Sequence, residues 1–185
     1  MTKRGLRALV RAARPGAETL AEESRALCAV IAAMPEFAAA ETVAAFFPVR
    51  GEADIRPALA EALRGGKTLL LPRTDRAMRM RFLRAEDLAA LTPDAWGIPS
   101  PPEDAAEPDP RAVGLMLLPL CAVDRAGHRL GQGGGCYDRY LAENPVRAPR
   151  VGVALRHQLL GAVPADPWDQ PLDACATPDG VLRFT

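Results

Sequence analysis

Between Leu118 and Leu141 the chain reads LPLCAVDRAGHRLGQGGGCYDRYL, and this stretch holds the residue types and spacings best suited to chemistry. An apolar run ends at Pro119, and Asp124 and Gly127 mark a turn. Arg129, Leu130, Gly131, Gln132, Gly133, Gly134 and Gly135 then lead into a helix that begins near Tyr137 and Asp138. Glycines between a strand and a helix let backbone N–H groups approach an anion closely, and the helix N-terminus adds partial positive charge. Arg129 supplies a fixed cation suited to phosphate oxygens. Asp138, in the first helical turn, suits a magnesium ion bridging the same phosphates; the same carboxylate also favours a helix N-terminus by charge alone. No Gly-Lys-Ser/Thr follows the glycines, so this is not a Walker A loop, and the context of a dinucleotide fingerprint is missing.

The elements that must position this loop alternate between helices and short apolar strands. Residues 3–14 predict a helix with Leu6, Leu9, Val10 and Ala13 on one side and Lys3, Arg7, Arg11 and Arg14 on the other. A second helix is expected over 19–34, opened by a capping box in which Glu22 reaches back to Thr19. The run TVAAFF at 42–47 reads as a buried strand stopped by Pro48. A helix over 57–64 starts on a proline and closes on Gly65-Gly66. Strands are expected at 67–71, ended by Pro72, at 115–118 and at 151–155, with an alternating edge strand at 78–83 and a last one at 181–184. Residues 92–110 carry six prolines and read as a surface connection. Continuous apolar strands separated by helices predict a mostly parallel sheet covered on both faces. No repeat or linker divides the chain, so residues 1–185 are expected to form one domain.

Composition narrows the partners. A chain of 185 residues buries roughly 70% of its extended surface and needs no metal or disulfide staple. Lysines and arginines balance aspartates and glutamates at 23 each, which removes the basic footprint of a nucleic-acid binder. Cys28, Cys121, Cys136 and Cys175 are too scattered for a zinc site or a disulfide framework and read as reduced thiols. The first 15 residues are cationic but lack the apolar core of a signal peptide, and no apolar run reaches the ~20 residues that span a bilayer. The expectation is a cytoplasmic monomer acting on small molecules, without membrane or nucleic-acid partners.

The string Arg-Leu-Gly-x-Gly-x-Gly-x-Tyr-Asp-Arg from Arg129 to Arg139, preceded by a proline and an Asp-x-x-Gly turn, resembles the signature of the 5-formyltetrahydrofolate cyclo-ligase family. Lys3-x-x-Leu6-Arg7, Phe46-Phe47 through Gly51-Glu52, Leu71-Pro72-Arg73, Trp96-Gly97-Ile98-Pro99 and Asp169-x-Pro171-Leu172-Asp173 extend the resemblance over nearly the whole chain. It implies a three-layer α/β/α domain like that of sugar-phosphate isomerases and CoA transferases. It also implies a ligase of folate and one-carbon metabolism that uses ATP and Mg2+ to convert 5-formyltetrahydrofolate into 5,10-methenyltetrahydrofolate, releasing ADP and phosphate. By the same resemblance Arg129, Tyr137 and Asp138 would be catalytic. Lys3, Arg7, Arg129, Leu130, Gly131, Gln132, Gly133, Gly134, Gly135, Cys136 and Tyr137 would bind ATP. Phe47, Glu52, Gln132, Gly133, Gly134, Gly135 and Cys136 would contact the folate, and Asp138 and Asp173 would hold magnesium. Val123, Cys136 and Trp168 depart from the family pattern, Cys136 by replacing an aromatic residue that could stack on folate. The alternatives are a catalytically silent folate- or nucleotide-binding relative, or an ATP-using enzyme acting on another formylated substrate.

Overall fold

The computed structural model describes residues 1–49 and 51–184. Helix α1 (Lys3–Ala12) is capped by the Thr2 hydroxyl, which accepts from the Gly5 N–H. Helix α2 (Ala17–Ala32) starts earlier than the sequence suggests. Gly16 takes the extended N-cap conformation just after Pro15, no side chain caps the helix, and Thr19 lies inside it, so the expected capping box does not form. The five-residue helix α3 (Pro35–Ala39) was not expected; it leads into β1 (Thr42–Ala44), only half the strand read from TVAAFF. Helix α4 (Arg56–Arg64), with Pro57 in its first turn, precedes β2 (Thr68–Thr74) and the antiparallel edge strand β3 (Met80–Ala85).

Strand β2 runs through Pro72 rather than stopping there. Its partner β1 pairs only as far as Leu70, so beyond that point the missing N–H faces no ladder. Two short strands, β4 (Thr92–Pro93) and β5 (Pro99–Ser100), pair across the proline-rich connection. Strand β6 (Leu115–Pro119) then leads to a small ribbon, β7 (Ala122–Val123) with β8 (Arg129–Leu130). Helix α5 (Cys136–Glu143), β9 (Arg150–Val153), β10 (Ala174–Thr177) and β11 (Gly180–Arg183) complete the chain.

Seven strands form the main sheet in the order β11-β10-β9-β6-β1-β2-β3. From β10 to β2 all neighbours are parallel, and only the two edges run antiparallel. Period-two alternation sends Val43, Leu69, Leu71, Leu115, Leu117 and Val151 to one face, packed on Leu27 and Ile31 of α2 and Leu59 of α4. Ala44, Leu70, Met116, Leu118 and Cys175 face the other way, against Tyr140 and Leu141 of α5. This is the three-layer, mostly parallel α/β architecture expected. Helix α1 stands outside both layers and packs Leu6 and Val10 on Cys121, Ala122 and Leu130 of the ribbon. Among the described residues no helix is long and apolar enough to cross a membrane.

Candidate active site

In a parallel sheet, ligands bind beyond the carboxyl ends of the strands. Here the chain leaving β1 at Phe46 and Phe47, the end of β2 at Pro72 and Thr74, and Pro119 at the end of β6 all border one cavity of about 490 Å³. The glycine loop closes it. Gly133 and Gly135 adopt positive φ (120° and 66°), and Gly135 in the left-handed region opens α5. At Gly134 a Cβ would stand 2.5 Å from the Met78 Cε, so the loop touches the movable tip of a side chain from the β2–β3 turn.

Arg129 and Asp138 meet where β8 and α5 converge. The Arg129 guanidinium donates to Asp138 Oδ1 at 2.8 Å and to the Pro119 carbonyl at 3.3 Å, and lies 5.7 Å from the Tyr137 ring centre. Its Nε is buried without a partner among the described residues. Asp138 Oδ1 also accepts the Gln170 N–H at 3.1 Å, whereas Oδ2 accepts nothing from the described residues. The ribbon carrying Arg129 is folded by Asp124, whose carboxylate accepts the Ala126, His128 and Val163 N–H groups and the His128 ring. Burial works to raise the Asp124 pKa, but these donors hold it below the ordinary carboxylate value.

Much of the rest of the lining is apolar and aromatic: Phe46, Phe47, Met78, Met80, Trp96, Ile98 and Tyr137. Burial, with a contribution from the Glu52 charge, pushes the Tyr137 phenol far above its ordinary pKa, so it stays protonated. Asp94 builds the part of this lining that sequence reading placed in a surface connection. One oxygen accepts the Trp96 and Ile98 N–H groups (2.8 and 3.0 Å), and the other accepts Thr74 N–H at 3.3 Å. The Trp96 indole donates to the Asp75 carbonyl at 3.1 Å. Glu52 stands at the margin of the cavity, folded back so that Oε2 accepts the Val49 N–H at 3.1 Å. Cys136 borders the cavity, and burial raises its thiol pKa, which disfavours the thiolate.

The cations of α1 divide differently from expectation. Lys3 is paired with Asp166 at 2.7 Å and with Asp169, and Arg7 donates its Nε to the Gly131 carbonyl at 2.7 Å. Neither borders the cavity; Arg11, one turn further along α1, and Arg14 just beyond the helix do. Leu130 is buried in the ribbon's packing on α1 and has no cavity face. Asp173 lies just before β10, where its carboxylate accepts the Arg150 N–H at the start of β9. That is the amino end of these parallel strands, opposite the cavity, so Asp173 is not brought to Asp138. A second hollow of about 560 Å³ is lined by Arg73, Arg76, Arg79 and Arg81. Its charge is largely answered within the chain: Arg79 by Asp75, Arg81 by Glu107, and Arg73 by the Pro93 and Pro101 carbonyls.

The 5-formyltetrahydrofolate cyclo-ligase family profile matches residues 1–178. A 5-formyltetrahydrofolate cyclo-ligase of Escherichia coli K12 is 34% identical over 154 residues, covering 81% of this chain and 85% of that protein. The solution structure of 5,10-methenyltetrahydrofolate synthetase from Aquifex aeolicus superposes with a TM-score of 0.87 at 33% identity, covering 100% of this chain and 93% of that one. The Mycoplasma pneumoniae 5,10-methenyltetrahydrofolate synthetase shares the fold at a TM-score of 0.78 and 21% identity, over 96% and 99% of the two chains. The chain therefore belongs to the 5-formyltetrahydrofolate cyclo-ligase family, enzymes that close 5-formyltetrahydrofolate to its 5,10-methenyl form.

Proposed function

We propose that the ring closure is driven by ATP with Mg2+, and that nucleotide and folate meet in the 490 Å³ cavity. One observation carries this reading: a single cavity is bordered by a glycine loop, a cation–carboxylate pair, aromatic side chains and Glu52. The loop N–H groups at residues 131–135 and the start of α5 receive phosphate oxygens. Arg129, already ordered by Asp138 and Pro119, needs no reorganisation to face developing charge. Arg7 acts by holding the loop at Gly131, while Lys3 stays paired with Asp166 and Asp169 and does not border the cavity. Phe47, Tyr137 and Trp96 offer flat apolar surface to the pterin, and the Glu52 carboxylate accepts from its N–H groups.

Asp138 fits a magnesium ion as one ligand, because Oδ2 has no donor among the described residues. Among the described residues no group of three acidic, histidine or cysteine side chains forms a cage, so phosphate and water supply the other ligands, as is usual for this ion. When bound, magnesium neutralises charge on the transferring phosphoryl group. The formyl oxygen is a poor leaving group until it carries that phosphoryl. The N10 amine then attacks the formyl carbon, its proton leaves with the phosphate, and phosphate departs carrying the formyl oxygen as the five-membered ring closes. The chain's part is alignment and exclusion of water, which requires no protein nucleophile.

The test is direct. Protein, ATP, magnesium and 5-formyltetrahydrofolate together give the methenyl absorbance with one ADP per product, and leaving out ATP or magnesium abolishes it. Tight binding of both ligands with no product would identify a silent relative instead.

A further inference from the structure

We infer that Arg11 is a further catalytic cation of this reaction, contacting the phosphoryl group during its transfer, and that Gln132 is its positioning residue. The inference rests on the reading that the nucleotide lies on the glycine loop. Four other cations near the loop each hold a partner already, Arg139 by donating to the Gly134 carbonyl at 3.0 Å. Lys3 is held by two carboxylates, Arg7 Nε by the Gly131 carbonyl, and Arg129 by Asp138 and the Pro119 carbonyl. Arg11 borders the cavity and uses only Nη2, which donates to the Gln132 side-chain oxygen at 3.0 Å and to its carbonyl at 3.4 Å. Its other N–H groups have no partner among the described residues.

Gln132 is the only residue of the 131–135 loop with a side chain, since its four companions are glycines. Its amide makes contacts at both ends. The oxygen accepts from Arg11, and the nitrogen points to Glu52 Oε1 at 3.5 Å, a long contact. Arg11 is thereby held at the loop where phosphates would sit, on the same amide whose other end reaches toward Glu52, where the pterin would sit. In the transfer step the bond from the γ-phosphorus to the bridging oxygen of ADP breaks as the bond to the formyl oxygen forms, and no proton or electron is exchanged. Negative charge moves from the loop toward Glu52, and a cation at the loop with free N–H groups stabilises the transition state more than either bound substrate.

Arg11→Gln, Arg11→Lys, Gln132→Ala and the double variant Arg11→Gln/Gln132→Ala are compared by steady-state kinetics, calorimetric ATP binding and thermal melting. Arg4→Gln, on the exposed side of α1, serves as control. Arg11→Gln is expected to lower kcat about 100-fold while changing the ATP Kd less than about threefold and leaving the melting temperature and Arg4→Gln activity as in the wild type. Lysine restores part of kcat. Gln132→Ala lowers kcat about tenfold in the wild-type background and has no further effect beside Arg11→Gln, the signature of a shared interaction. Unchanged kcat with a raised ATP Kd in Arg11→Gln overturns the inference, as does a full additional loss from Gln132→Ala in the double variant. Gly133→Val separates the premise from the inference. If it leaves ATP binding and turnover intact, the nucleotide is not on the loop and both fail; if it kills turnover while Arg11→Gln keeps full kcat, this inference alone fails.

Discussion

Removing the Asp138 carboxylate should cost stability as well as activity, and by separable amounts. The Arg129 side chain keeps 2% of its exposure and Asp138 keeps 19%, so this is a buried pair with one partly wetted member. Asp138→Ala leaves a guanidinium inside the protein with only the Pro119 carbonyl and the Tyr137 ring for company. Breaking a buried pair from one side costs about 3–5 kcal/mol, and the wetting of Asp138 places this case near the low end, at about 3 kcal/mol. For a chain of this length that lowers the melting temperature by about 6–12 °C. Asp138→Asn keeps an oxygen for both Arg129 and the Gln170 N–H, and should cost only about 1 kcal/mol, or about 2–4 °C. Turnover nevertheless disappears in both, because neither presents a charged oxygen for magnesium. The double variant Arg129→Met/Asp138→Leu removes both charges, and should melt within a few degrees of the wild type while remaining inactive. Thermal and urea unfolding, read beside methenyl absorbance at limiting and saturating magnesium, measure all of this. Asp138→Ala melting with the wild type, or the double variant melting with Asp138→Ala, would refute the buried-pair reasoning. Full activity of Asp138→Asn at limiting magnesium would refute the metal assignment.

Glu52→Ala should weaken folate binding by about 1–3 kcal/mol, or about 5–150-fold, and leave ATP affinity unchanged, which calorimetry of each ligand checks. Asp94→Ala strips the acceptor from three N–H groups; it should lower the melting temperature and raise the KM for folate but not for ATP, because the loop bearing Trp96 and Ile98 loosens. Cys136→Tyr should tighten folate binding, and an unchanged affinity would mean the position does not stack on the ligand. Burial works to raise the Asp169 pKa, but the Asp166 N–H and Lys3 hold it below 3.8; burial works to lower Lys3, but Asp166 and Asp169 hold it above 10.5. The stability that wild type has over Lys3→Met should therefore be fully present between about pH 4 and pH 10, and shrink as pH falls through the folded Asp169 pKa or rises past 10.5.

The loop, the ribbon turn and α5 were legible because their geometry is local: a glycine run, an Asp-x-x-Gly turn and a helix start are written in neighbouring residues. Strand β10 was not legible. The segment ACAT looks like part of a turn-rich tail, and it is a strand because β9 offers a parallel partner on one side and β11 an antiparallel one on the other. The same holds for the end of β2, where Pro72 reads as a stop until β1 is seen to have turned away. The proline-rich connection misled in a more consequential way. Its composition fits an exposed segment, and Trp96 is indeed 49% exposed, but Asp94 ties it to Thr74 and makes it a wall of the cavity.

The cationic stripe on α1 shows where periodicity stops informing. Helical spacing places Lys3, Arg7 and Arg11 toward one side, which is enough to predict a charged face. It does not say at which depth that face meets the site, and each helical turn moves a side chain about 5.4 Å along the axis. The depth is fixed instead by Leu6 and Val10, which seat α1 on Cys121, Ala122 and Leu130 of the ribbon. With that seat given, successive turns of the helix meet successive residues of the loop: Arg7 the Gly131 carbonyl, Arg11 the Gln132 carbonyl and side chain. The cation matching the family motif thus supports the loop from outside, and the one further along the stripe borders the cavity. A one-turn shift of α1 would exchange these roles without altering the charge pattern in the sequence, because the apolar contacts of Leu6 and Val10 decide which guanidinium borders the cavity.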